Sequence, residues 1–303
     1  TAYMKANFPA EYMCAVLTAE SGEIEKIAEI VHECENMKIK VLPPNINESF
    51  KGFTYIDKNT IRFGLYTIKN LGSDIADAII KERKNPPEGN GKYKSITDFL
   101  ERIKHKNLNK KSMEALIKTG CMDKFGDRNI LLANLEEMLK YNKENQEQNI
   151  NQSSLFGDIT EKRISEFKLK EGEIASKGEK LLWEKELLGL YISGHPLDRI
   201  KEKLEKREIN IKKIKENENF RDNTKVIIAG IIESVREVIT KKNEKMAFLK
   251  VSDLMGNIEV VAFPSIYKTS ENILKTEKCI AFSGKVSLRN GEKTIIMEAV
   301  KEI

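Results

Sequence analysis

Ile61-Arg62-Phe63-Gly64-Leu65-Tyr66-Thr67-Ile68-Lys69-Asn70-Leu71-Gly72-Ser73-Asp74-Ile75-Ala76-Asp77-Ala78-Ile79 decides how this chain is read. A short β-type run ends at Gly64, and a helical turn or two follow over 65–69. Asn70-Leu71-Gly72 is a tight turn, and Asn and Gly are the residues that adopt positive φ with least penalty. Ser73 is expected to cap the next helix, with Asp74 in its first turn beside the positive end of the dipole. N–H groups at a helix start have no intrahelical acceptor, so they form an anion site. A plain pair of helices with a Gly stop and a Ser start is the other reading.

The surrounding charge favours the anion site. Residues 61–128 hold 15 Lys/Arg against 9 Asp/Glu, a surplus of six positive charges; residues 1–60 hold 6 against 9. Positive charge gathered in one region is what a reader of phosphate backbone needs. The turn resembles a helix-hairpin-helix, a module that grips duplex DNA by its phosphates, with Asn70 where that motif usually has its first glycine. Leu71, Gly72 and Ser73 would supply N–H groups, with Lys69 beside them. A second Gly turn, Thr119-Gly120-Cys121-Met122-Asp123, precedes Phe125-Gly126-Asp127-Arg128 and a helix expected to run to about Tyr141. Lys110, Lys111, Lys118, Lys124 and Arg128 would then flank a phosphate path. The alternative is ordinary surface charge.

Composition bounds the rest. The 303 residues suffice for about two domains. With 33% charged and 40% hydrophobic residues, they suit a globular chain with real cores. A net charge of +5 makes any nucleic-acid binding regional. Cys14, Cys34, Cys121 and Cys279 are scattered, which speaks against disulfides and zinc and for a reducing cytoplasm. His32-x-Cys34 places two ligand types two residues apart, and these do not share a helix face. No apolar run approaches membrane length, and no secretory signal is present. The chain opens at Thr1 within an expected helix, as a piece of a longer protein would.

Pro9 suits the first position of a helix carrying Met13, Val16 and Leu17. Ile24, Ile27, Val31 and Cys34 mark a second helix, 39–42 a short strand, and 53–57 with 60–63 a hairpin. The pair Glu25 and Glu29 reads as a solvated face rather than an acid–base site. Residues 142–154 are rich in Asn, Gln and Glu and are expected to form a mobile linker. That linker ends in Gln152-Ser153-Ser154-Leu155-Phe156-Gly157, where two large apolar residues sit on a polar tether. They either dock locally or insert into a partner's pocket. Residues 158–222 form a charged, mostly helical connector with the only Trp, Trp183. Its helix is expected to end at Ser193-Gly194-His195-Pro196. Ser193 and His195 lack a third catalytic group, which argues against a hydrolase.

From 225 the period changes to β: 226–232, 247–251, 258–263, 279–286 and 294–299, with turns at Gly256-Asn257 and Asn290-Gly291. Five strands with a helix between the third and fourth is the OB-fold order. Lys241 and Lys242 lie in the first hairpin loop. Phe248 and Phe263 alternate within strands, where each is either core or a stacking surface for a base. The fold class is therefore multidomain α + β: a helical domain with tandem helix-hairpin-helix, then a five-stranded OB-fold β-barrel.

Taken in order, the pieces resemble the C-terminal half of the alpha subunit of bacterial replicative DNA polymerase III. The residues that carry this resemblance include Thr1-Ala2-Tyr3-Met4-Lys5-Ala6, Pro43-Pro44-Asn45-Ile46-Asn47, Ile61-Arg62-Phe63-Gly64-Leu65, Leu116-Ile117-Lys118-Thr119-Gly120, Gln152-Ser153-Ser154-Leu155-Phe156, Ser193-Gly194-His195-Pro196-Leu197 and Met246-Ala247-Phe248. The resemblance implies the end of a fingers domain at 1–60. It implies a duplex-binding tandem helix-hairpin-helix domain at 61–157, a connector at 158–222 and an OB domain at 223–303. Residues 152–156 would bind the sliding clamp, and Lys241, Lys242 and Phe248 would meet single-stranded template. Partners would be duplex and single-stranded DNA, the clamp and other holoenzyme subunits, with no membrane. The catalytic palm and its Mg²⁺ would lie elsewhere, leaving no cofactor here and a fragment inactive alone. A stand-alone RNA- or tRNA-binding OB-fold protein with a helical adaptor also accounts for 225–303, but not for 152–156.

Overall fold

Pro9 presets φ at the first position of a helix, and the stripe Met13, Cys14 and Leu17 behind it is buried. In the computed structural model, which describes residues 1–84, 91–151, 167–200, 204, 209–217, 219–289 and 292–303, this is α2 (Pro9–Ala19). It follows α1 (Ala2–Asn7) and precedes α3 (Ile24–Asn36). β1 (Lys40–Leu42) runs parallel to β3 (Thr60–Arg62), which pairs antiparallel with β2 (Thr54–Asp57). A 3-10 turn (Leu65–Thr67) leads to α4 (Ser73–Lys84), α5 (Ile96–Arg102), α6 (Lys110–Lys118), α7 (Arg128–Ala133), α8 (Leu135–Asn151) and α9 (Lys177–Leu188). These elements form the first of two compact units, Thr1–Gly194; the second is His195–Ile303.

A single apolar cluster holds the first unit, from Ala10 and Met13 through Phe63, Ile79 and Phe99 to Leu188 and Leu190. It includes residues on both sides of positions 60 and 158, so the divisions drawn there from sequence cut through one core. Gly64 is required at its edge. A Cβ there would lie 2.3 Å from the carbonyl oxygens of Lys51 and Gly52. The close approach is held by Leu65 N–H to Phe50 O at 2.8 Å and Tyr66 N–H to Lys51 O at 3.0 Å. Arg83, on α4, is buried and donates to Ile46 O and Ser49 O, at 2.8 and 2.6 Å.

Three expectations are corrected here. Residues 142–151 are not a linker: they continue α8, and Asn142 is buried with Nδ2 donating to Leu100 O and Ile103 O. An asparagine that satisfies another helix's carbonyls is stable in a core, which composition alone does not reveal. The stop after the Trp183 helix is Gly189, at φ 85°, rather than Gly194. In the 158–222 region, residues 167–176 form neither helix nor strand. Asn134 grips this stretch as a peptide group would, its Oδ1 accepting from Lys170 N–H at 2.9 Å and its Nδ2 donating to Lys170 O at 3.0 Å.

α6 opens with Asn109 and Ser112 capping each other and closes with Gly120 at φ 78°. Gly120 N–H bonds to Ile117 O and Cys121 N–H to Leu116 O, the paired bonds of a left-handed helix stop. The space beside Gly120 is filled by Arg128, whose Nη2 would sit 2.3 Å from an added Cβ. Arg128 is 2% exposed. It forks onto Asp123 at 2.9 and 3.0 Å, donates to Lys118 O at 2.9 Å and reaches Glu184 Oε1 at 3.1 Å. Glu184, on α9, is fully buried, and its Oε2 accepts from the N–H groups of Ile192 and Ser193.

The second unit is a closed barrel in the order β4-β5-β6-β8-β7. Its strands are β4 (Lys225–Ile239), β5 (Lys245–Ser252), β6 (Asn257–Ala262), β7 (Cys279–Arg289) and β8 (Glu292–Glu302). The seam that closes it is parallel and short: Val260 opposite Ile295 and Val261 opposite Ile296. α10 (Ile211–Glu216) places Ile211 and Ile214 in the barrel's core, so it belongs to this unit. Asp253 Oδ2 accepts from Ile211 N–H at 2.8 Å and fixes the helix start. α11 (Pro264–Ser270) lies between β6 and β7, as expected. The expected turn at Asn290-Gly291 falls outside the described residues.

Removing Arg128 leaves the buried Glu184 carboxylate without its counter-charge. Arg128→Ala is expected to destabilise the first unit by about 3–5 kcal/mol. Urea unfolding followed by Trp183 fluorescence tests this; a loss below about 1 kcal/mol would show that the pair is not a structural keystone.

Candidate nucleic-acid interface

The Asn70–Ser73 turn forms as a hairpin, but its parts are shared out differently from the expectation. Asn70 takes the left-handed conformation, at φ 68°, whereas Gly72 does not and has open space where a Cβ would be. Gly72 O accepts the first helical bond, from Ala76 N–H at 3.2 Å, so Gly72 and not Ser73 is the N-cap. Leu71 is buried and its N–H bonds back to Ile68 O at 3.3 Å, which removes it from the phosphate-binding set. Lys69 N–H donates to Leu187 O at 2.9 Å, tying the turn to α9. The Lys69 side chain, Gly72 and Ser73 are exposed.

The start of α7, the matching point of the second hairpin, is already filled. Asp127 caps it, accepting from Asn129 N–H at 3.0 Å. The same carboxylate takes Ala175 N–H at 2.8 Å and Lys180 Nζ at 2.7 Å. Burial works against its charge, but Lys180 and these N–H groups hold the Asp127 carboxyl below the usual carboxylate range. Arg128 is buried in its own ion pairs and is not a phosphate ligand. Burial opposes its charge too, and Asp123 and Glu184 outweigh that. Lys118 is half-buried, Lys124 and Lys111 are exposed, and Lys110 pairs with Glu136 at 3.2 Å.

On the barrel, a cavity of about 640 Å³ opens among β4, β5, β6, β8 and α10. The Arg236 guanidinium sits 4.8 Å from the centre of the Phe248 ring, the two residues facing each other across β4 and β5. Lys215, Lys250, Glu259 and Lys293 also line the cavity. Lys293 donates to the carbonyls of Ile214 and Asn217, at 2.9 and 2.8 Å, and so closes the end of α10. Phe248 is thus brought into a groove, while Lys241 and Lys242 are exposed on the β4–β5 turn. Phe263 is 43% exposed, outside the groove lining, at the head of α11. Sequence reading missed Arg236; its signal was the polar alternation of Ser234 and Arg236 on a strand facing Phe248.

Gln152, Ser153, Ser154, Leu155 and Phe156 lie outside the described residues. Among the described residues, no group of three or more His, Cys, Asp or Glu side chains could hold a metal ion. No helix there is long and apolar enough to cross a membrane. Burial pushes the Cys34 thiol up to about 12, and Cys14 and Cys121 are likewise buried and raised.

The chain thus joins a helix-hairpin-helix region to an OB-fold nucleic acid binding domain. Models of those two families match residues 38–131 and 226–303 respectively, the first beginning upstream of the quoted stretch. Relatives match over nearly the whole chain, each a DNA polymerase III subunit alpha. The Borreliella burgdorferi protein is 36% identical over 100% of this chain and 26% of its own length. The Campylobacter jejuni protein is 33% identical over 100% and 26%. The Thermus aquaticus protein is 35% identical over 99% and 24%. The chain belongs to the DNA polymerase III subunit alpha family. It spans about a quarter of the length of these relatives.

Asn70, and not Gly72, is the position whose backbone constrains the hairpin. Asn70→Val is expected to destabilise the first unit by about 1–3 kcal/mol, whereas Gly72→Ala should cost less than about 1 kcal/mol. Denaturation of both variants decides between them; equal losses would mean that the left-handed residue is not what sets the turn.

Proposed function

We propose that this chain is the DNA-holding part of a bacterial replicative polymerase. The first unit grips duplex by its phosphates, and the barrel receives single-stranded template. The groove that stacks Arg236 on Phe248 carries this reading. A ring with a guanidinium over it, in a cationic cleft on an OB barrel, is chemistry suited to an unpaired base and its phosphate. Identity along almost the whole chain to proteins named DNA polymerase III subunit alpha supports the replicative context. In this reading the chain works in the cytoplasm. Two-metal Mg²⁺ chemistry belongs to another part of a longer polypeptide, so these residues require no cofactor.

The sliding clamp is proposed as the partner of Gln152-Ser153-Ser154-Leu155-Phe156, with other polymerase subunits nearby. Two large apolar side chains on a polar stretch are most stable when a partner buries them, each worth about 1.5–3 kcal/mol. Ordering the segment offsets part of that gain, so the contact should be micromolar or weaker. A peptide of residues 151–157 should compete with the chain for the clamp. Leu155→Ala with Phe156→Ala should abolish clamp binding and leave the unfolding transition unchanged. Retained clamp binding by that double variant would remove the motif from the proposal.

An RNA-binding role is the competing reading of the barrel. Phe248→Ala is expected to weaken single-stranded DNA binding by about 1–3 kcal/mol. Primed DNA should displace a bound single strand better than tRNA does. Preference for tRNA, or indifference to Phe248→Ala, would favour the RNA-binding alternative.

A further inference from the structure

The loop between α5 and α6 is a cationic feature that the hairpin motif does not account for. Residues 104–111 read Lys104-His105-Lys106-Asn107-Leu108-Asn109-Lys110-Lys111, with four lysines and no acid. The loop is built rather than slack. Ile103 and Leu108 are plugged into the core at 1% and 6% exposure. Asn142 Nδ2 donates to Ile103 O at 2.9 Å, Ser112 Oγ to Asn107 O at 2.8 Å, and Leu108 N–H to His105 O at 2.9 Å. Between these anchors Lys104 and Lys106 are exposed, as is Lys111 on the first turn of α6. Among the described residues none of these three lysines makes an ion pair.

The loop stands beside the first hairpin, where Asn107 Nδ2 reaches Asp74 Oδ2 at 3.5 Å. Asp74 is the carboxylate in the first turn of α4, so this contact sets the loop against the start of that helix. At the second hairpin the position a phosphate would take is occupied by Asp127 with Lys180 and Ala175, and Arg128 faces inward.

We propose that the duplex phosphate path leaves the Asn70–Ser73 turn over the α5–α6 loop, with Lys104, Lys106 and Lys111 as its cations, and does not pass over the second hairpin. This rests on the duplex-binding reading above. The ligand chemistry is the phosphodiester backbone of duplex DNA, held at fixed points by ammonium groups without reading bases.

The test is fluorescence anisotropy of the full chain on a blunt-ended duplex across a salt series. Lys104→Gln, Lys106→Gln and Lys111→Gln together should weaken binding about ten-fold or more and make the salt slope shallower by about 2–3, close to one per lost phosphate contact. The matching triple Lys→Arg variant should keep both affinity and slope. Lys118→Gln with Lys124→Gln, at the second hairpin, should also keep both. If the parent chain binds duplex with a steep salt dependence and the triple Gln variant binds identically, the loop is not the path. The loop is likewise excluded if the triple Arg variant loses as much as the triple Gln variant. If the parent chain shows no salt-dependent duplex binding, the duplex reading itself falls and takes this inference with it.

Discussion

The Arg128–Glu184 pair is the interaction on which the first unit depends. Two opposite charges are buried side by side, and neither is tolerable there without the other. Each also satisfies several further groups. Arg128 takes the carbonyl of Lys118 at the end of α6 and both oxygens of Asp123 in the following turn. Glu184 takes two N–H groups beyond the end of α9. One salt bridge therefore fixes the exit of α6, the entry to α7 and the far end of α9, three places that are distant in sequence.

That arrangement explains why two similar-looking hairpins differ in surface chemistry. Both have a Gly-containing turn followed by a helix start with nearby cations. At α4 the turn leaves Lys69, Asn70, Gly72 and Ser73 exposed and is tied to α9 by Lys69 N–H on Leu187 O. At α7 the helix start is overlaid by residues 175–184, and its capacity for an anion is taken by Asp127. The distinction lies in what packs over each end, and local sequence does not encode it.

Much of the fold was legible for that same local reason. The helices at 9–19 and 24–36 follow from apolar spacing, and the five barrel strands from alternation and turn residues. Phe248 was readable as either core or a stacking surface because it alternates along its strand with Ala247 and Leu249, which are buried. What stayed hidden depended on contacts between distant segments. Arg128 looked like part of a phosphate path because its partner, Glu184, is 56 residues away. Residues 142–151 looked like solvent-exposed tether because polar composition does not show that Asn142 closes α5. Asn70 and Gly72 both looked able to take the positive φ of the turn, and it is Asn70 that carries it.

The barrel has one place where it is held least firmly. Four of its five seams are antiparallel ladders six or more residue pairs long, whereas β6 and β8 meet through two parallel pairs. The same two strands contribute Asn257, Glu259, Glu292 and Thr294 to the wall of the groove. The wall that borders the cleft is therefore also the one closed by the fewest ladder pairs, the kind of place where local opening is expected first. Such a barrel can gape along one line while the rest of its ladder stays shut. The amides of Val261 and Ile296 would then exchange with solvent ahead of those in the β4–β7 ladder, and the width of the cleft becomes a thermally accessible variable instead of a fixed dimension.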